Sequence, residues 1–241
     1  METNAGRRAM LTKSWQLGVV TAASCIPLMG YSEEKQPEGK EPEVTATEDL
    51  MREHGVIRRA LLVYAETVPK LRQNAASVDA DALRQTAQLF RTFGEDYHER
   101  MLEEEHIFPL IRKQGPKLQT YADVLTAQHR RGREVTDYIL AVTSGSKVSA
   151  AHAEPLAKVF EGFVRMYENH AAREDTIVFP AWKKNYTDKQ LDEISDQFED
   201  IEHKMFGKDG FEDAEKKISQ IELALGFSDL AQFTPLPPPK P

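Results

Sequence analysis

At 241 residues the chain is long enough for one sizeable domain with appendages. A formal charge of −8, 29% charged residues and a mean hydropathy of −0.53 describe an acidic, water-facing sequence with no basic surface for nucleic acid. The lack of an apolar run of about 20 residues argues against a membrane bundle. A single cysteine, Cys25, excludes a disulfide framework and a thiolate-held metal, so any metal must be bound by Asp, Glu and the seven histidines.

Residues 1–30 have the features of an export signal. Arg7-Arg8 precedes an uncharged, moderately apolar stretch from Ser14 to about Tyr31. The paired arginines resemble a bacterial twin-arginine signal, and Ala22-Ala23-Ser24-Cys25 resembles a lipoprotein cleavage box. A periplasmic or otherwise exported protein is expected, with a membrane tether through a lipidated Cys25. The alternative is a frayed N-terminal helix of a cytosolic protein. Residues 31–46 are polar and charged, contain Pro and Gly, and serve as a linker.

Thr45, with Glu48 three residues on, predicts the N-cap of a first helix. Its apolar face is Leu50, His54, Ile57, Leu61, Tyr64 and Val68, at steps of three and four. A second helix starts near Asp79 and carries Leu83, Phe90, Phe93, Tyr97 and His98 toward Ile107-Phe108-Pro109, and Gly115-Pro116 then breaks the chain. The third helix presents Tyr121, Leu125, His129, Val135 or Thr136, Ile139 and Val142. The fourth presents Leu156, Phe160, Phe163, Tyr167, His170, Glu174 and Ile177, and stops near Asn185.

Short breaks between long helices predict an all-α, antiparallel up-down four-helix bundle over residues 47–185. Two shorter amphipathic helices follow in an extension over 186–230, one with Leu191, Ile194, Phe198, Ile201 and Met205, the other with Ala214, Ile218, Ile221 and Leu225. A Pro-rich tail occupies 231–241.

Two stretches repeat the pattern E-x-x-x-(I/V)-F-P: Glu103 to Pro109 and Glu174 to Pro180, both ends offset by 71 residues. A histidine precedes each, His98 and His170, and His54 and His129 lie on the inward faces of the other two long helices. Buried imidazoles need partners for both ring nitrogens, and four converging without a cation would leave several unsatisfied. Glu174 lies one turn from His170 at an apolar-stripe position, where an unpaired charge is very costly. Imidazole and carboxylate ligands without thiolate favour iron, manganese or zinc, and two carboxylates among four histidines point to two ions rather than one.

The ordered set H…H-x4-E…H…H-x3-E, with its Phe-Pro terminators, resembles the hemerythrin-like family, also called the HHE cation-binding domain, over about residues 47–185. The resemblance implies a pair of iron ions, ahead of manganese or zinc, joined by two carboxylates and an oxo or hydroxo group. His54, His98, His129 and His170 would be terminal ligands, and Glu103 and Glu174 would bridge.

There are two departures from the pattern. His98 and Glu103 are i, i+5, so either a π-bulge lies between them or Glu99 takes part; the bulge is favoured because it keeps His98. Oxygen-carrying members of the family place a further His four residues after the third, where this chain has Arg133. His106, beside the first repeat, His152 and His203 are expected outside the ligand set.

The expected function is binding of a small diatomic ligand, O2 first, for storage, sensing or scavenging, with an unidentified redox partner. The alternative is a di-iron redox enzyme acting on peroxide or nitric oxide, or an iron donor for cluster repair.

Overall fold

A computed structural model describes residues 44–239. The export-signal and lipidation readings, the linker up to residue 43 and the last two residues of the tail lie outside the described residues. Helix α1 (Ala46–Asn74) opens as expected at Thr45, whose hydroxyl accepts the Glu48 backbone N–H at 3.3 Å. Helix α2 starts as Ala80–Leu89 behind an Asp79 N-cap, continues as a π-helix over Phe90–Ile107 and closes with Phe108–Ile111. Helix α3 (Pro116–Val142) follows Gly115, which has the positive φ of 112° that glycine tolerates. Helix α4 runs as Ala150–Arg173, passes through a π turn at Glu174–Val178 and ends with Phe179–Lys183.

Each of the four packs on its two neighbours, α1 on α2 and α4, and α3 on α2 and α4. With short connections this is the up-down bundle that the periodicity predicts. No strand occurs among the described residues, and none of their helices is long and apolar enough to cross a membrane.

The core lies along the predicted stripes. Leu50, Ile57, Leu61, Tyr64 and Val68 of α1 are buried, and so are Leu156, Phe160, Phe163 and Tyr167 of α4. Tyr64 stacks on Phe160 at 4.5 Å and 19°, and Phe90 packs against Phe163 and Tyr167. The stripe slips where the winding changes. Past the π turn at Glu174, Val178 takes the fully buried position expected of Ile177, which is half-buried. Tyr121, Val135 and Val142 of α3 are also only half-buried, so the dry face of that helix is narrower than its pattern suggests.

Two further helices, α5 (Asp188–Phe206) and α6 (Gly210–Leu225), dock on α1 and α2. Thr187 and Gln190 form a reciprocal capping box at the start of α5, and Gly207, at φ 73°, ends it. Arg59 of α1 is held by Glu215 at 2.9 Å, Ser219 at 2.7 Å and Glu222 at 2.5 Å, all on α6. Met205, expected on the inner face of α5, is exposed; Phe206 is half-buried and packs edge-on to Tyr97 at 5.4 Å.

Candidate metal centre

The repeated Phe-Pro pairs place the two carboxylates. Proline has no N–H, and in an α-helix its ring clashes with the carbonyl four residues back, so the i→i−4 ladder cannot run through Pro109 or Pro180 unchanged. In both repeats the N–H of the preceding phenylalanine reaches five residues back instead, Phe108 to the Glu103 carbonyl and Phe179 to the Glu174 carbonyl. A π turn therefore sits at each glutamate. In α2 the wide winding also brings His98 and Glu103, five apart, onto one side, with His98 Nε2 3.4 Å from Glu103 Oε1. The expected bulge is thus part of a π segment of 18 residues. The phenylalanines cover the imidazoles of the other hairpin: Phe108 stacks on His129 at 5.5 Å and Phe179 on His54 at 5.4 Å.

All six sequence-predicted residues are buried and meet in one layer. His54 Nε2 and His98 Nε2 are 3.0 Å apart, as are His129 Nε2 and His170 Nε2. Glu103 lies between the pairs, its Oε2 3.3 Å from His129 Nε2. Glu174 does the same, its Oε2 3.0 Å from His170 Nε2 and 3.5 Å from His54 Nε2.

The Nδ1 atoms face acceptors instead. His54 Nδ1 is 2.6 Å from Asp175 Oδ1 and His98 Nδ1 is 2.6 Å from Glu53 Oε2. His129 Nδ1 is 2.9 Å from Glu104 Oε1 and His170 Nδ1 is 2.9 Å from Gln128 Oε1. Each Nδ1–H therefore donates outward, which leaves the Nε2 lone pairs facing inward. Lone pairs at 3.0 Å repel unless a cation or proton lies between them.

The carboxylates carry the same message. Both oxygens of Glu103 and both of Glu174 are buried with no hydrogen-bond partner. The carboxylates also favour the charged form of the imidazoles beside them. Burial by itself lowers the His129 pKa, but the nearby carboxylates of Glu99, Glu103 and Glu104 outweigh it and push it up to about 10. His98 is likewise raised against burial by Glu103 and Glu53, and His54 by Asp175 and Glu174. Burial raises Glu174, yet His170 and His54 hold it well below the usual carboxylate range.

Groups able to hold an ion follow directly. Glu103, His129, His170 and Glu174 offer ligand atoms within 4.8 Å of one another, and so do His54, His98 and Glu103. A third group, Glu99, Glu104 and His129, already has a cation: Arg133 lies 2.8 Å from Glu104 and 3.4 Å from Glu99. Glu99 is therefore outside the inner layer, where it accepts the Tyr167 hydroxyl at 2.6 Å. Tyr167 fills the space over Gly132, where a Cβ would lie 2.0 Å from its hydroxyl oxygen. His106 packs edge-on to Phe198, while His152 and His203 are exposed.

The partners of Nδ1 are absent from the sequence reading. A signal for half of them was present as a second repeat. His54 with Arg58 and His129 with Arg133 both read H-x-x-x-R, and Asp175 and Glu104 both follow the glutamate that opens the Phe-Pro repeat. Arg58 ion-pairs with Asp175 as Arg133 does with Glu104. The two hairpins thus build the same device twice.

The profile of the hemerythrin HHE cation binding domain matches residues 45–182. Uncharacterized protein Rv1995 of Mycobacterium tuberculosis and uncharacterized protein Mb2018 of Mycobacterium bovis are each 42% identical over 238 residues, which cover 95% of this chain and 91% of theirs. No solved structure matches significantly. Taken with four helices that bring His54, His98, His129 and His170 around Glu103 and Glu174, the match over more than half of the chain shows that it belongs to the hemerythrin HHE cation-binding domain family.

Proposed function

We propose that this is a non-haem di-iron protein that binds a small diatomic ligand, O2 first, for storage, sensing or scavenging. The observation that carries the reading is the set of four unpartnered, buried carboxylate oxygens facing four inward Nε2 atoms. One ion would be held by Glu103, His129, His170 and Glu174 and a second by His54, His98 and Glu103, with Glu174 Oε2 3.5 Å from His54 Nε2. Such a protein donor set would leave room at the ions for a small ligand. Iron fits a donor set of imidazole and carboxylate with no thiolate, with manganese or zinc as alternatives. When bound, the iron pair supplies redox chemistry toward O2, peroxide or nitric oxide. The chain's own residues fix the imidazole tautomers through Nδ1 and, with Phe108 and Phe179, wall the centre from water.

Arg133 favours a second reading, a di-iron enzyme turning over peroxide or nitric oxide. Its guanidinium, bound to Glu104, stands where an oxygen carrier has a fifth imidazole and cannot ligate a metal. Spectroscopy separates the two. Iron-loaded protein, reduced without oxygen and then exposed to it, shows an optical band that disappears when O2 is removed if the first reading holds. Irreversible oxidation with consumption of peroxide or nitric oxide supports the second. Absence of stoichiometric iron removes both.

Metal affinity should rise with pH. The raised His129 pKa stabilises the metal-free fold fully below pH 6.5, and this contribution is lost as pH rises through about 10. A metal must displace that proton, so its affinity increases across the same window, by about tenfold per pH unit for each proton released. Chelator competition at pH 6.5 and pH 8 measures this; equal affinities would mean that no proton occupies the centre.

A further inference from the structure

We infer that Glu53 and Gln128 make the two halves of the centre unequal, so that the His54/His98 half takes its ion first and holds it more tightly. This rests on the two-ion reading above and concerns which half leads. Glu53 and Gln128 occupy the same place in the internal repeat, each immediately before a centre histidine, His54 or His129, and 75 residues apart. Each reaches across to the Nδ1 of the histidine on the neighbouring helix, Glu53 to His98 at 2.6 Å and Gln128 to His170 at 2.9 Å.

The other Nδ1 contacts are matched. His54 has Asp175 paired with Arg58, and His129 has Glu104 paired with Arg133. Glu99, 4.0 Å from His129 Nδ1, shares Arg133 with Glu104, and Glu95 pairs with Arg91 at 2.9 Å. Among the direct Nδ1 contacts the halves differ in one hydrogen bond. An anionic acceptor draws the Nδ1 proton toward itself and raises the donor strength of Nε2, and a neutral amide does so much less. Glu53 is 1% exposed and its other oxygen accepts the Tyr97 hydroxyl at 3.1 Å, so water does not disperse its charge. Gln128 is half-buried.

Partners of this kind are typically worth about 10–100-fold in metal affinity. The test is an anaerobic titration of the metal-free full chain with Co2+ against a competing chelator, followed by the Co2+ optical bands. Wild type takes two ions in two steps separated by about 10–100-fold. Q128E tightens the weaker step and brings the two together. E53Q weakens the tighter step, and E53D restores part of it. Circular dichroism of each metal-free variant confirms the helical fold, and E53Q alone decides the matter where Q128E does not fold.

Two ions of equal affinity in wild type overturn the inference and leave the two-ion reading standing. So do variants that leave the separation of the steps unchanged. Fewer than two ions in wild type overturn the reading itself, and the inference with it.

Discussion

Replacing Glu174 with alanine is expected to reduce the metal bound per chain by at least half, because its two oxygens face both imidazole pairs. Glu174 Oε2 lies 3.0 Å from His170 Nε2 and 3.5 Å from His54 Nε2, and its Oε1 lies 4.0 Å from His129 Nε2. The same change removes the counter-charge of buried imidazoles, so the metal-free fold also weakens, by about 3–5 kcal/mol as for other broken buried pairs. Elemental analysis with thermal unfolding of the metal-free protein reads the two effects separately. Glu105→Ala is the control: this exposed neighbour of the first repeat has no place in the layer and should keep full loading. Full loading of the Glu174 variant would show that the carboxylate does not join the two halves.

Phe179→Ala should be strongly destabilising, as should its counterpart Phe108→Ala. The Phe179 ring is fully buried, stacks on His54 at 5.4 Å and 23°, and ends the π turn that begins at Glu174. Truncating a buried phenylalanine costs about 3–5 kcal/mol in transfer and cavity terms, which for a chain of this size lowers Tm on the order of 10 °C. It also admits water to the His54 half while leaving the His129 half under Phe108. Calorimetry checks the first effect, with the partly exposed Phe233→Ala as a near-neutral comparison. A loss below about 1 kcal/mol would mean that the core closes over the gap.

The repeated motif was legible because its chemistry is local. In both repeats a π turn ends at the phenylalanine before the proline, where the ordinary ladder is blocked. The four histidines were legible because a step of three or four marks the side of a helix that faces the core. Sequence spacing also flagged His98 and Glu103 as a departure from regular winding, although not that the departure extends over Phe90–Ile107. How far a π segment runs depends on the fit of a whole helix against its neighbours, and one side chain does not set it. The same slip moved Val178 into the position assigned to Ile177.

Composition and pattern by themselves determined an acidic helical bundle, with any metal-binding groups limited to imidazole and carboxylate and those groups supplied in duplicate. Only the tertiary structure decided what stands behind each imidazole. Asp175 reaches His54 across 121 positions of chain, and Arg133 fills the carboxylate group at His129. A hydrogen bond between helices needs rotation and crossing to agree within tenths of an ångström, and periodicity specifies neither. It separates a dry side from a wet one, and the direction of each Nδ1–H is settled when the helices close on one another.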